Sequence, residues 1–274
     1  KTWYESKSNG LQIQLWNDTH LSFLTKYWVT IQSIQQLITM KIALLGYGKM
    51  GKVIERIALE RGHEIVLKKD HDNTFEGLLN ADVAIDFSVP DSAVGNISEC
   101  LNNDIPVISG TTGWLADYPK MKQLCEDKNG SFIYASNFSL GVNVFFELNE
   151  YLAKMMANLK QYNVSMEEIH HTQKLDAPSG TAITLAEGVI KHTDYANWTL
   201  ETPISNEIHI EAKRIENVPG THSIFYDSEV DQIEIKHTAH SREGFALGAV
   251  VAAEWLVGKK GVFTMKDVLG LTSK

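Results

Sequence analysis

The sequence predicts an α/β fold in two parts, a doubly wound parallel sheet followed by an α+β part with a mixed, largely antiparallel sheet. A short apolar strand, Lys41 to Leu45, runs straight into Gly46-Tyr47-Gly48-Lys49-Met50-Gly51 and a helical stretch from Lys52 to Arg61. Strand and helix candidates then alternate as far as Asn137, which is the pattern of a parallel sheet covered on both faces. Beyond residue 163 the strand candidates alternate apolar and polar residues, as strands with one covered face do.

The first strand and its loop form G-x-G-x-x-G in the strand–turn–helix setting that gives the motif meaning. Gly46 permits the tight turn, Gly48 lets a pyrophosphate approach the backbone, and Gly51 allows close helix–strand packing. Tyr47, Lys49 and Met50 complete the loop. Gly62 ends the helix, and His63 to Lys69 supplies the second strand. Asp70 closes that strand at the spacing where an acid meets the adenosine ribose, favouring NAD. Lys68, Lys69 and His71 stand ready for a 2′-phosphate, so NADH and NADPH both stay open. Ala81 to Val89, Ile105 to Ser109 and Ser131 to Ser136 continue the sheet, with Asp91 expected to cap the helix that runs towards Asn103. Ligands of such sheets bind beyond the carboxyl ends of the strands. Phe87-Ser88, Gly110-Thr111-Thr112 and Ala135-Ser136-Asn137-Phe138 fall there and are the expected contacts of the nicotinamide end.

A domain boundary is expected near Asn137–Ser139, after which a helical run extends to about Lys160. Glu147 and Glu150 on it read as solvated. Asn163 to Ile169 is a strand and Thr181 to Lys191 a helix, and between them lies Glu167-Glu168-Ile169-His170-His171-Thr172-Gln173-Lys174-Leu175-Asp176-Ala177-Pro178-Ser179-Gly180-Thr181. Strand-to-helix loops are where scaffolds place chemistry. Ser179 is a good N-cap, and the amides of Gly180 and Thr181 at the positive end of the helix dipole form a seat for a carboxylate or phosphate. A lysine and two histidines beside an anion seat suggest proton transfer to a small acidic substrate. Glu207 to Ile215, His222 to Tyr226 and Gln232 to Thr238 follow as antiparallel strands. His237, His240 and Arg242 precede the apolar helix Phe245 to Lys259, which is expected to return to the first domain.

With 274 residues the chain can bury a sizeable core in two domains. Its 43% hydrophobic and 22% charged residues are those of a soluble globular protein. A net charge of −9 excludes a nucleic-acid surface or an anionic membrane surface, while leaving room for an anionic small ligand at a locally basic site. Cys100 and Cys125 lack metal-ligand spacing and read as reduced, buried thiols of a cytoplasmic protein. No metal is expected. No apolar run reaches the ~18 residues of a membrane span. Residues 1–39 carry Trp3, Trp16 and Trp28 but neither a signal-peptide pattern nor a regular amphipathic helix. Met40 reads as the initiator and 1–39 as a non-native or disordered extension, with a genuine extension packing on the domain as the alternative; no function is assigned to it.

Together the segments GYGKMG at 46–51, GTTG at 110–113, NFSLGVN at 137–143, EIHHTQKLDAPSGTA at 168–182, HTAHSREGFALGAV at 237–250 and MKDVLGL at 265–271 closely resemble the dihydrodipicolinate reductase family. The resemblance runs from Met40 to the C-terminus and is most specific in the histidine–lysine–PSGT segment. It implies a Rossmann domain over 40–137 and 242–274, and a substrate-binding and tetramerisation domain over 138–241. It further implies a homotetramer and hydride delivery from NADH or NADPH to a small cyclic dicarboxylate, 4-hydroxy-tetrahydrodipicolinate. The family's proton-transfer histidine falls on His170 and its proton-donor lysine on Lys174. His171, Gly180 and Thr181 fall on substrate-binding positions, and Ser179, the cap beside them, is expected to bind substrate as well. Cofactor contacts fall on the glycine loop, Gly110 to Thr112 and Ala135 to Phe138. The segment from Asp70 to Ala81 is shorter than in many members, and Asp70-His71 stands where some carry an acidic residue and an arginine. Two other readings are an amino-acid dehydrogenase on the same scaffold and a nucleotide-binding regulator without catalysis.

Overall fold

The computed structural model describes residues 39–70 and 74–272. The readings of the segment before Thr39 and of His71 lie outside these residues.

In the first sheet β1 (Lys41–Leu45), β2 (Glu64–Lys69), β3 (Val83–Asp86), β4 (Val107–Ser109), β5 (Ser131–Tyr134) and β11 (Gly261–Phe263) lie in the order β11-β5-β4-β3-β1-β2. Every pairing is parallel. Strand residues point alternately to opposite faces, and the two faces are covered by different helices. Ile42, Leu44, Val83, Ile85, Ile108 and Ile133 pack with α1 (Lys49–Glu60) and the late helix α6 (Glu243–Leu256). Ala43, Leu45, Ala84, Val107 and Phe132 pack with α2 (Pro90–Asn102) and α3 (Tyr118–Asp127). Both faces being buried explains why these strands read as continuous apolar runs. Asp91 lies in the first turn of α2 rather than at its cap, because Pro90 already occupies the first helical position and Val89 is the N-cap. Cys100 and Cys125 are buried free thiols within the second face, and burial pushes Cys100 above the ordinary thiol range.

The second sheet has the order β10-β9-β6-β8-β7, formed by β6 (Asn163–His170), β7 (Asn197–Thr199), β8 (Glu207–Arg214), β9 (Gly220–Asp227) and β10 (Gln232–Ala239). It is mixed. β9 runs antiparallel to β6 and β10 over their length, whereas β8 lies parallel to both β6 and β7. The antiparallel expectation for β8 is therefore corrected: alternation reports one covered face and says nothing of direction. The covered face meets α4 (Leu140–Met156) and α5 (Gly180–Ile190) through Val164, Met166, Ile208, Ile210 and Ile224. Glu147 and Glu150 of α4 are only half-exposed. Glu147 pairs with Lys266 of the short helix α7 (Met265–Val268), and Glu150 pairs with Lys191 at 3.0 Å. Among the described residues no helix is long and apolar enough to cross a membrane.

Candidate active site

The glycine loop leaves β1 with Gly46 at φ +101°, where an added Cβ would lie 2.7 Å from Ser88 Cα and closer still to the Phe87 carbonyl. Only glycine allows both that turn and that approach. At Gly48 the space is open, with no atom within 4 Å of an added Cβ. Gly48 is the N-cap of α1, which has no side-chain cap and no acidic residue in its first turn. An uncapped helix start beside open space, with the positive end of its dipole there, fits a pyrophosphate.

Around the loop Lys49 is exposed, Met50 packs on the core, and Gly51 is buried with its Cα against the Gly46 carbonyl. The Tyr47 hydroxyl donates to Glu55, and Lys68 pairs with the same carboxylate at 2.5 Å. Lys68, expected near a 2′-phosphate, is thereby engaged. Asp70 is exposed just past β2, whose end is tied to the loop by the Gly46 amide donating to the Lys69 carbonyl at 2.8 Å.

At the ends of β3 and β4 one buried carboxylate organises the strand tips. Asp86 accepts from Ser88 Oγ (2.7 Å), Asn96 Nδ2 (2.9 Å), Ser109 Oγ (2.7 Å) and Thr111 Oγ1 (2.8 Å). Burial pushes its carboxyl up, and those donors oppose the shift. The Thr111 hydroxyl, which also accepts from the Ser88 amide, is therefore spent inside the protein, while Thr112 stays exposed. Gly110 lies directly against the Phe87 ring, where an added Cβ would clash. Ala135 and Ser136 line the tip of β5, but Phe138 is 1% exposed and its ring packs 5.7 Å from that of Phe87. Only the backbone of Phe138 is left for a cofactor contact, since the side chain belongs to the core. Asn137 turns the other way, its amide Nδ2 reaching Thr181 Oγ1 at 3.4 Å.

That contact joins the nucleotide loops to the histidine–lysine segment. Ser179 caps α5 by accepting from the Ala182 amide at 3.2 Å, as its position before a helix predicts. Gly180 is exposed, with nothing within 4 Å of an added Cβ, and Thr181 is half-buried. His170 ends β6 and is buried at 7% exposure. His171 follows it, and its Nε2 accepts from Arg242 at 2.9 Å because arginine can only donate. Lys174 lies on the turn closed by its own amide and the His171 carbonyl (3.1 Å), and its ammonium pairs with both oxygens of Asp176 at 2.9 and 2.8 Å. That pairing holds the Asp176 carboxyl below its usual range. His170, His171, Lys174, Ser179, Gly180 and Thr181 are thus held on one loop, facing the strand tips through Asn137 and Arg242.

Comparison with known proteins follows this geometry segment by segment. The family description "Dihydrodipicolinate reductase, N-terminus" matches residues 40–138, and "Dihydrodipicolinate reductase, C-terminus" matches 141–269. The chain belongs to the dihydrodipicolinate reductase family. A relative from Christiangramia forsetii, named 4-hydroxy-tetrahydrodipicolinate reductase, is 59% identical over 237 residues, covering 84% of this chain and 98% of its own. A relative of the same name from Archaeoglobus fulgidus is 34% identical over 261 residues, covering 84% and 100%. Among solved structures, a dipicolinate-bound dihydrodipicolinate reductase from a Paenisporosarcina species shares the fold with a TM-score of 0.68 at 20% identity, covering 83% and 98%.

In this family member three residues without a sequence-assigned role complete the cluster. Register places them: Glu168 of β6 faces His222 of β9, and His170 of β6 faces Arg214 of β8. Glu168 is 0% exposed and accepts from the Ser179 amide at 2.9 Å and from Arg214 at 3.1 Å. Burial pushes its carboxyl up, but the Ser179 donors together with His170 and Arg214 outweigh this and hold it low. His222 Nε2 lies 3.1 Å from Ser179 Oγ. Glu168, His170 and His222 bring one possible ligand atom each within 4.8 Å, although Arg214 and Ser179 already engage that carboxylate. The available signal was a glutamate and a histidine two residues apart on the apolar face of a strand that also carries Val164 and Met166.

Burial, reinforced by the neighbouring His170, pushes His222 down to about 3. In the unfolded chain a histidine titrates near ~6.5. Between those values the unfolded chain binds the extra proton, so stability falls as pH drops below ~6.5, by about 1.4 kcal/mol per pH unit for this residue. Urea unfolding between neutral and mildly acid pH is expected to show this loss, and His222→Gln to flatten it. Equal slopes in the two proteins would refute the assignment.

Proposed function

We propose that this chain catalyses NAD(P)H-dependent reduction of 4-hydroxy-tetrahydrodipicolinate to tetrahydrodipicolinate, in the diaminopimelate and lysine biosynthesis pathway. The observation that carries the reading is the placement of His170, His171 and Lys174 beside the capped start of α5, joined through Asn137–Thr181 to the tips of the nucleotide-type sheet. Family membership supports the same reaction.

The chemistry a bound nicotinamide cofactor supplies is hydride transfer. Residues fitted to hold it are Gly46 to Gly51, Asp70, Phe87, Gly110 to Thr112 and Ala135 to Asn137, with Thr111 and Phe138 contributing backbone only. One substrate carboxylate rests on the Gly180 and Thr181 amides and is held by His171. The 4-hydroxyl leaves as water before or during reduction, and the conjugated imine that results takes up one hydride and one proton. Lys174, released from Asp176 by the incoming dianion, donates that proton, and His170 assists as acid/base. Residues 40–137 and 242–274 form the dinucleotide-binding domain and 138–241 the substrate-binding and oligomerisation domain of a cytoplasmic homotetramer. An exposed apolar stripe on α4, with Val144, Leu148, Tyr151 and Met155 each about half exposed, supports assembly.

Freshly generated 4-hydroxy-tetrahydrodipicolinate should cause rapid oxidation of reduced nicotinamide nucleotide. NADH should be the better donor, because Asp70 suits free ribose hydroxyls and Lys68 is committed to Glu55. Protein that binds nucleotide but turns over neither cofactor would exclude the reductase reading, and a clear NADPH preference would exclude the role given to Asp70.

A further inference from the structure

Glu168 is buried two residues before the end of β6 and lies among three groups that the reaction uses. Its Oε2 accepts the Ser179 amide at 2.9 Å, at the cap of the carboxylate seat. The same oxygen lies 3.7 Å from His170 Nδ1, a buried nitrogen with no hydrogen-bond partner among the described residues. Its Oε1 accepts from Arg214 Nη2 at 3.1 Å. Arg214 in turn donates to the Lys174 carbonyl through Nε at 3.2 Å and to the Asp176 carbonyl through Nη2 at 2.6 Å. One carboxylate and one guanidinium therefore tie the anion seat, the histidine and the lysine loop to two neighbouring strands.

We infer that Glu168 and Arg214 are positioning residues, a buried carboxylate paired with a partly exposed guanidinium, that keep His170 and Lys174 in register with the substrate carboxylate seat and act on the charge state of His170 in opposite directions. The inference rests on the reductase reading for its catalytic consequence, though not for its electrostatic one. Removing Arg214 leaves the fully buried Glu168 charge without its cation, whereas removing Glu168 leaves a guanidinium that water still reaches, so the two members are not interchangeable structural props. The charged or titratable groups facing His170 are Glu168 from β6, Arg214 from β8, His222 from β9, and Lys174 and Asp176 from the loop. Burial is the largest influence on His170 and lowers it; Glu168 raises it, and Lys174 and Arg214 lower it further.

The test is the imidazole titration of His170 by NMR in the substrate-free protein, assigned by its loss in His170→Gln. Glu168→Gln is expected to move the His170 midpoint down by roughly 1 pH unit or more, the size of a nearby opposite charge. Arg214→Gln is expected to move it up. Opposite shifts are something a merely structural role does not produce. Both variants should lose kcat by about tenfold or more while the affinity for NADH, bound in the other half, stays unchanged. Midpoints that stay put, or move the same way, overturn the inference. If one variant does not fold, the sign of the shift in the other still decides it. Wild-type turnover is scored separately, so a failed reductase reading leaves the titration result intact and a failed titration leaves the reductase reading intact.

Discussion

Lys174→Ala should lower kcat for hydroxy-tetrahydrodipicolinate reduction by about 10²–10⁴-fold, the usual cost of losing a positioned proton donor. The expectation comes from how firmly the residue is held. Its amide bonds to the His171 carbonyl, its carbonyl accepts from Arg214, and its ammonium is kept in place by Asp176 at a side-chain exposure of 22%. A solvated surface lysine has none of these restraints. NADH binding should be unaffected, because the glycine loop lies on the other sheet. Lys174→Arg adds a discriminating arm: a guanidinium still attracts a dianion but holds its proton, so KM should recover more than kcat. Steady-state kinetics with both variants measures this, and a Lys174→Ala enzyme that raises KM alone would make the lysine a binding residue only.

Gly248→Ala should destabilise the protein by about 3 kcal/mol or more, near the upper end for forcing an extra carbon into a packed interior. An added Cβ would stand 2.7 Å from the Phe138 carbonyl carbon, closer still to its oxygen, and 3.5 Å from the Ser139 amide. These are backbone atoms of the crossover between the two sheets, and they cannot swing aside as a side chain would. Gly95→Ala is the control. Gly95 is exposed within α2 with nothing within 4 Å of an added Cβ, so the same change should stabilise by roughly 0.5–1 kcal/mol. Urea denaturation compares the two, and equal effects would show that close approach at Gly248 does not matter.

What was legible in the sequence was local. The glycine loop and the Ser179 cap depend on residues a few positions apart, and both stand where expected. The alternation of strands and helices identified the parallel sheet for the same reason. β7 and β11 are not legible because three residues carry no period by themselves; β4, equally short, is preceded by Ile105 in an apolar run, whereas β7 and β11 form by pairing with β8 and β5. Glu168, Arg214 and His222 had no legible partnership because they come together only through the register of β8, β6 and β9. Thr111 and Phe138 stand at strand tips, where ligand contacts are expected. Place does not reveal direction, and the Thr111 hydroxyl and Phe138 ring point inward to Asp86 and Phe87.

The parallel sheet is finished by the end of the chain. β11 supplies its edge beside β5, and α6 covers the face that carries Leu44, Ile85 and Ile108. The second sheet has every strand by Ala239. As the polypeptide emerges from the ribosome, the half that begins first must therefore wait, one oily side covered by α1 alone, until the half that begins later is already whole. A nascent chain that stalls after Ala239 would display the rest of that side to chaperones and to its neighbours.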